Sequence, residues 1–284
     1  MRISSFWSLP IIGLLGLLAS QALAADTLAR IAETGTLRIG FRADAAPYSY
    51  RTVSGEPAGY IVDLCREVAN SVKASRQLPK LAIDYVEVTA ANRFDVLREG
   101  KIDLLCEPTS MTMSRRAVVD FSLPTFIDGA GVLFRTGQVH GLEDLRGKRI
   151  GVLAGTTTEE TLRATLGQLD IKATIVPTSD HPAGVKRLTN GEIDAYFADR
   201  GILNYLLVNS RDPAGLKISD QYFTFETYAL ALPRGDDVFR LLVDATLAEL
   251  YRTDRIKKIY ARSFGTFPPD QFINALFVIN GLPR

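Results

Sequence analysis

Residues 97–103 read LREGKID, and residues 188–194 read LTNGEID. Both fit Leu-x-x-Gly-x-Ile-Asp: a helix end, a glycine that closes it, and the start of a strand. Earlier in each half, Arg38-Ile39-Gly40-Phe41 matches Arg149-Ile150-Gly151-Val152. The two pairs of matches come in the same order, which predicts two lobes of similar architecture, one after the other. Around them, residues 37–41, 81–86, 102–105, 131–135, 149–153, 173–176, 193–197 and 228–232 read as strands. Residues 27–33, 61–72, 92–99, 182–188, 200–209, 236–251 and 254–263 have helical spacing, as does a segment from Thr158 to about Leu166. Alternation of this kind implies an α/β fold with helices flanking a sheet in each lobe. The residues beyond Pro268-Pro269 carry no assigned element.

Two α/β lobes bring the ends of their strands, where such sheets bind ligands, to a shared cleft. The repeat says which positions face it. After the first strand of each lobe come residues 42–44 and 154–158; after the second matched strand come 106–112 and Ala198-Asp199. The stretch 106–122, CEPTSMTMSRRAVVDFS, combines a strand end, the hydroxyls of Thr109, Ser110, Thr112 and Ser114, and a short helix opened by Arg115 and Arg116. Ser114 is the expected N-cap of that helix. An arginine fork matches a carboxylate with two parallel hydrogen bonds, and a helix start adds oriented N–H groups. The other lobe offers Asp199 and a threonine-rich helix start that includes Thr156 and Thr157. A cation opposite an acid suits a zwitterion. Each residue also has a plainer use: Asp199 as the cap of the helix at Arg200, the threonines as an N-cap cluster, and Arg93 paired with Asp95 or Glu99. Tyr48 and Phe126 equally suit a core.

The 284 residues are a length for two domains. Lys+Arg number 33 and Asp+Glu 32, a net charge of +1, so no basic excess argues for nucleic acid or an anionic membrane. Arg2 is the only charge before Asp26, and residues 9–19 are apolar but too short to span a bilayer. With the small-x-small site Ala22-Leu23-Ala24, residues 1–24 read as a secretory signal peptide, leaving an exported chain of roughly 260 residues. Cys65 and Cys106 then meet an oxidising compartment, where an even count favours pairing. Cys65 lies on the apolar face of the 61–72 helix, and Cys106 ends a strand that helix can cover, so a disulfide is expected; the alternative is two buried thiols. Two cysteines with distant His140 and His181 lack zinc-ligand spacing, and no metal is expected.

The stretch 31–40 (IAETGTLRIG), Pro47-Tyr48-Ser49-Tyr50, Gly59-Tyr60-x-x-Asp63-Leu64 and Asp144-Leu145-x-Gly147-Lys148-x-Ile150-Gly151-Val152 resemble the periplasmic polar-amino-acid-binding proteins of ABC importers, bacterial solute-binding protein family 3. The likeness spans nearly all of the chain beyond residue 24. It is strongest to the glutamate/aspartate-binding branch, through Thr89-x-x-Asn92-Arg93, Cys106 with Arg115 downstream, Gly155-Thr156-Thr157 and Asp180-His181. The resemblance implies a type II periplasmic-binding-protein fold: two lobes, each a central sheet flanked by helices, joined by two crossing strands, here 131–135 and 228–232. Lobe 1 is expected to hold residues 25–134 with 229–284, and lobe 2 residues 135–228.

The same resemblance implies a monomeric periplasmic protein, neither enzyme nor cofactor carrier, that closes like a Venus flytrap on an amino acid and delivers it to an inner-membrane ABC permease. Carried over residue by residue, Arg115 grips the ligand α-carboxylate with Ser110 and Thr156 as helpers, Thr157 is a further ligand-binding residue, and Asp199 takes the α-ammonium. Arg42, Arg93 and His181 surround an acidic ligand side chain, and Tyr48 supplies an aromatic wall. Ala90 and Pro108 stand where that branch has serines, and Pro108 has no N–H to donate. The charge count also favours glutamate or aspartate, since a neutral side chain would leave Arg42 and Arg93 desolvated without a partner, unless Asp44 already neutralises Arg42. The competing expectation is a periplasmic enzyme on the same fold, a cyclohexadienyl or arogenate-type dehydratase, with His181 and Asp199 recruited for proton transfer. An arginine-rich pocket is better suited to holding carboxylates than to moving protons.

Overall fold

The computed structural model describes residues 26–137, 142–253 and 255–283; the expected signal peptide lies outside the described residues, as does His140. The sequence repeat is a repeat in space. The helices Arg93–Arg98 and His181–Thr189 are followed by Gly100 and Gly191, at φ 65° and 75°. Asp103 then accepts the backbone N–H of Arg38 at 2.8 Å and its guanidinium at 2.7 Å. Asp194 does the same for Arg149, at 2.8 and 3.0 Å. The correspondence reaches the packing: a Cβ on Gly40 would run into Ile102, and one on Gly151 into Ile193. Each Leu-x-x-Gly-x-Ile-Asp unit therefore docks its isoleucine over the glycine of the neighbouring strand.

Two five-stranded sheets result. The first runs in the order Ala82–Val88, Thr36–Arg42, Leu104–Leu105, Glu226–Leu232, Asp120–Asp128. The second runs Thr174–Thr178, Arg149–Leu153, Ala195–Asp199, Ala130–Arg135, Leu216–Ile218. In each sheet the repeated strands pair in parallel, and a strand of the crossing region is added antiparallel. The chain changes sheet at Gly129 and returns between Ile218 and Glu226. We propose the lobe boundaries at those two places rather than at 134/135 and 228/229, because each crossing strand lies wholly within one sheet.

The strand Asp120–Asp128, which contains Pro124, is not among the strands read from the sequence. It lies at the edge of its sheet, where a missing N–H costs no ladder bond. A small three-stranded sheet, Asp44–Ala45, Ser49–Arg51 and Pro57–Ala58, stands beside the first. The unassigned tail is a helix, Gln271–Asn280, started by Asp270 and burying Ile273, Leu276 and Phe277. With Asp237–Arg252 and Arg255–Phe264 it completes the core of the first lobe against Tyr60–Ser75. Cys65 and Cys106 form a disulfide within that core, with Cα atoms 6.3 Å apart. Among the described residues no helix is long and apolar enough to cross a membrane.

Candidate functional site

Between the lobes lies a closed cleft whose inner space is about 20 Å³, room for about one water molecule. Eight of the nine residues expected at the site line it: Arg42, Arg93, Ser110, Arg115, Thr156, Thr157, His181 and Asp199.

Arg115 sits on the four-residue helix Met113–Arg116. Thr112, not Ser114, caps that helix, accepting the Arg115 N–H at 3.2 Å. The Arg115 guanidinium donates to the Ser110 carbonyl at 2.8 Å and lies 5.3 Å over the Phe94 ring. Those contacts hold the fork against the wall of the first lobe. Across the cleft, Thr156 caps the helix Thr157–Gln168, and its hydroxyl donates to the Leu153 carbonyl at 2.8 Å. Thr157 donates to Glu226 at 2.7 Å and lies 3.2 Å from the Ser110 hydroxyl, which also reaches Glu226. A hydroxyl from each lobe thus meets one carboxylate on the returning strand. Sequence reasoning missed Glu226, since nothing local marks a residue whose partner lies 116 positions away.

Asp199 precedes the helix Arg200–Val208 but makes no capping bond with its side chain. It turns into the cleft and accepts the Thr158 hydroxyl at 3.1 Å. Desolvation, then the nearby Glu226 and Asp128 carboxylates, push its carboxyl up to about 7. A carboxylate so disfavoured is a receptor for a cation. Asp128 is buried behind it and accepts the Tyr48 hydroxyl at 2.8 Å and the Gly201 N–H at 3.1 Å. Burial pushes Asp128 up to about 6 despite those bonds. Tyr48 does not line this small space; it lines a second, larger cavity of about 570 Å³, with Phe126 and Phe264 on one side and Arg200 and Tyr205 on the other. Its ring is wholly buried among Phe126, Tyr228 and Phe264 on the far side, where an apolar cluster takes the ring and Asp128 takes the hydroxyl.

The third part of the site is built on buried arginines. Arg42 makes a two-pronged pair with Asp44, at 2.8 and 2.7 Å, and Arg42 Nη1 lies 3.7 Å from Glu107. Burial opposes its charge, but Asp44 and Glu107 outweigh that, and its pKa is raised. Arg93 is paired with neither Asp95 nor Glu99; its Nε lies 3.4 Å from Glu107, its Nη1 donates to the Ala90 carbonyl, and its plane lies 4.7 Å over Phe94. Burial, with Arg115 and Arg42 adding and Glu107 opposing, brings it down to about 10. Asp44 thus faces Arg42, and Glu107 faces both Arg42 and Arg93. Glu107 was missed, although a glutamate between Cys106 and Pro108 at a strand end was a visible signal. His181 starts the helix capped by Asp180, and its ring nitrogen lies 3.0 Å from the Tyr196 hydroxyl. Burial, then Arg42, lowers its pKa to about 3, so the imidazole is neutral. Pro108 lines the cleft, and Ala90 is buried with its carbonyl accepting from Arg93. Among the described residues no group of three or more His, Cys, Asp or Glu is placed to hold a metal ion.

A hinged pair of α/β lobes, closing cation-bearing and acid-bearing walls on one small space, defines the class: a clamp for a small solute. The chain belongs to the bacterial extracellular solute-binding proteins, family 3, whose pattern matches residues 37–266. It is a binding protein of that family, not an enzyme. It is similar to an L-glutamate/L-aspartate-binding protein of Pseudomonas aeruginosa, 31% identical over 88% of this chain and 84% of that one. A glutamate/aspartate import solute-binding protein of Escherichia coli is 25% identical over 90% of this chain and 85% of its own. Among solved structures, an ancestral arginine-binding protein bound to glutamine matches with a TM-score of 0.72 and 26% identity, covering 81% of this chain and 98% of that one. An ancestral amino acid-binding protein that is a precursor of cyclohexadienyl dehydratase matches with a TM-score of 0.74 and 25% identity, covering 84% and 99%. The fold is thus the type II periplasmic-binding-protein fold expected from the sequence.

Proposed function

We propose that this chain captures a free α-amino acid in the periplasm and delivers it to an inner-membrane ABC permease. The observation that carries this reading is the opposition of Arg115 and Asp199 across one enclosed space. In the bound state the Arg115 fork takes the α-carboxylate. Asp199, with Thr158 beside it, takes the α-ammonium. The end lined by Arg42, Arg93 and His181 faces the ligand side chain. Closing the lobes desolvates all of these contacts together, which strengthens each one. The closed form is then the shape the permease recognises.

The printed names of the relatives support an amino acid as the cargo, and those of the P. aeruginosa and E. coli proteins support an acidic one. The charges of the pocket favour a different side chain, argued below. The dehydratase alternative has less support, since the neighbour on that lineage is itself described as an amino acid-binding protein. Calorimetric titration of the exported protein with the common amino acids tests the reading. Saturable one-to-one binding of at least one is expected. No binding by any of them, or turnover of a bound acid, would remove it.

A further inference from the structure

Two guanidinium groups and two carboxylates meet at the side-chain end of the cleft. Arg42 and Arg93 are both about 3% exposed, and Glu107 is wholly buried. Asp44 holds Arg42 through two nitrogens, and Glu107 lies within ion-pair distance of both arginines. One Glu107 oxygen accepts the Thr109 hydroxyl, while the other, Oε2, and Arg93 Nε have no hydrogen-bond partner. Glu107 therefore faces the two arginines by ion-pair contact more than by hydrogen bonding, in the wall behind them; burial raises its carboxyl above the usual range and the arginines oppose that. His181 is neutral, so it adds no cation to the count. The arginines that line this end are charge-balanced by the protein itself.

A ligand bringing a second carboxylate here would add a negative charge with no cation left to match it. An uncompensated charge in a desolvated site is costly. A neutral side chain that accepts hydrogen bonds, such as a carboxamide, uses those edges without upsetting the balance. We infer that Glu107 sets ligand class: by neutralising Arg42 and Arg93 from behind, it makes this a receptor for amino acids with neutral, not acidic, side chains. This rests on the proposed amino-acid capture and refines it. Glu107 is a positioning residue, acting on the ligand through the two arginines.

The test is competition calorimetry at pH 8 with the exported protein and the twenty common amino acids. The tightest ligand is expected to carry no net side-chain charge. Glutamine and asparagine are each expected to bind at least tenfold more tightly than their acids. In Glu107→Gln, which keeps shape and removes charge, the acid-to-amide affinity ratio should move at least tenfold toward the acid. Glu107→Asp should keep the original ranking, which a merely structural role would not require. An acidic or cationic amino acid as the tightest wild-type ligand overturns the inference, as does an unchanged ratio in Glu107→Gln. If that variant does not fold, the wild-type ranking and Glu107→Asp still decide. Failure of every amino acid to bind would strike the capture reading instead.

Discussion

Lowering the pH through neutrality should release the ligand, and the sign follows from Asp199. With the lobes closed and no ligand between them, its carboxyl is pushed up to about 7, by desolvation and by Glu226 and Asp128. An ammonium group placed against it favours the carboxylate and lowers that pKa, so binding expels a proton whenever Asp199 starts protonated. Affinity is then full above about pH 7 and is lost as pH falls. At pH 5 about one molecule in 100 has Asp199 ionised, so Kd should weaken by about 100-fold relative to pH 8, or about 2.7 kcal/mol. Asp128, pushed up to about 6 in the same cluster, broadens the profile rather than reversing it. Calorimetry across pH 5–8 reads Kd, and repeating the pH 7 titration in two buffers of different ionisation enthalpy reads proton release, expected at about half a proton per ligand. Asp199→Asn should abolish both binding and release. The same variant should raise the melting temperature of the ligand-free protein at pH 8. A raised folded-state pKa contributes stability present below the unfolded value, near 4, and lost as pH rises through about 7, so ionised Asp199 is a burden that asparagine lifts. A Kd constant within threefold across this range would refute the assignment of Asp199 to the ammonium.

Arg115→Lys replaces a planar fork with a point charge and should weaken binding by about two to three decades, with the far-ultraviolet circular dichroism unchanged; calorimetry checks it. Reduction and alkylation of Cys65 and Cys106 opens a loop closed across 41 residues, for which chain entropy predicts a loss of about 4 kcal/mol and a fall in melting temperature of roughly 10 °C. Tyr48→Phe removes the hydroxyl bonded to Asp128 and should cost about 1–3 kcal/mol of stability in denaturant titration while changing Kd less than threefold, because Tyr48 does not line the small space.

The repeat was legible because it is local physics used twice: a glycine cap, an isoleucine over a glycine, and an aspartate on the neighbouring strand's arginine. The cleft followed from the repeat, since strand ends after matched units must face one another. What stayed hidden depends on tertiary context. The strand around Pro124 is an edge strand, and an edge position cannot be told from a central one in sequence. Two prolines drew attention from the spacing of Ile273, Leu276 and Phe277, which was there to be read. Tyr48 was assigned to the cleft by family likeness, and only the packing of Phe126 and Tyr228 around it places it outside the small space. Glu107 stood at a readable strand end, but its reach to both Arg42 and Arg93, and that of Glu226 to Ser110, are set by folding.

The claim on which the rest depends is that one ligand bridges Arg115 and Asp199 by its carboxylate and its ammonium. The direct measurement is calorimetric affinity for the best-bound amino acid beside two analogues, one lacking only the α-amino group and one lacking only the α-carboxyl. Both analogues are expected to bind at least 100-fold more weakly than the parent, since each leaves one charged wall of the closed cleft unpaired. An analogue without its amino group that binds as tightly as the parent would contradict the role given to Asp199. An equally tight analogue without its carboxyl would contradict that of Arg115.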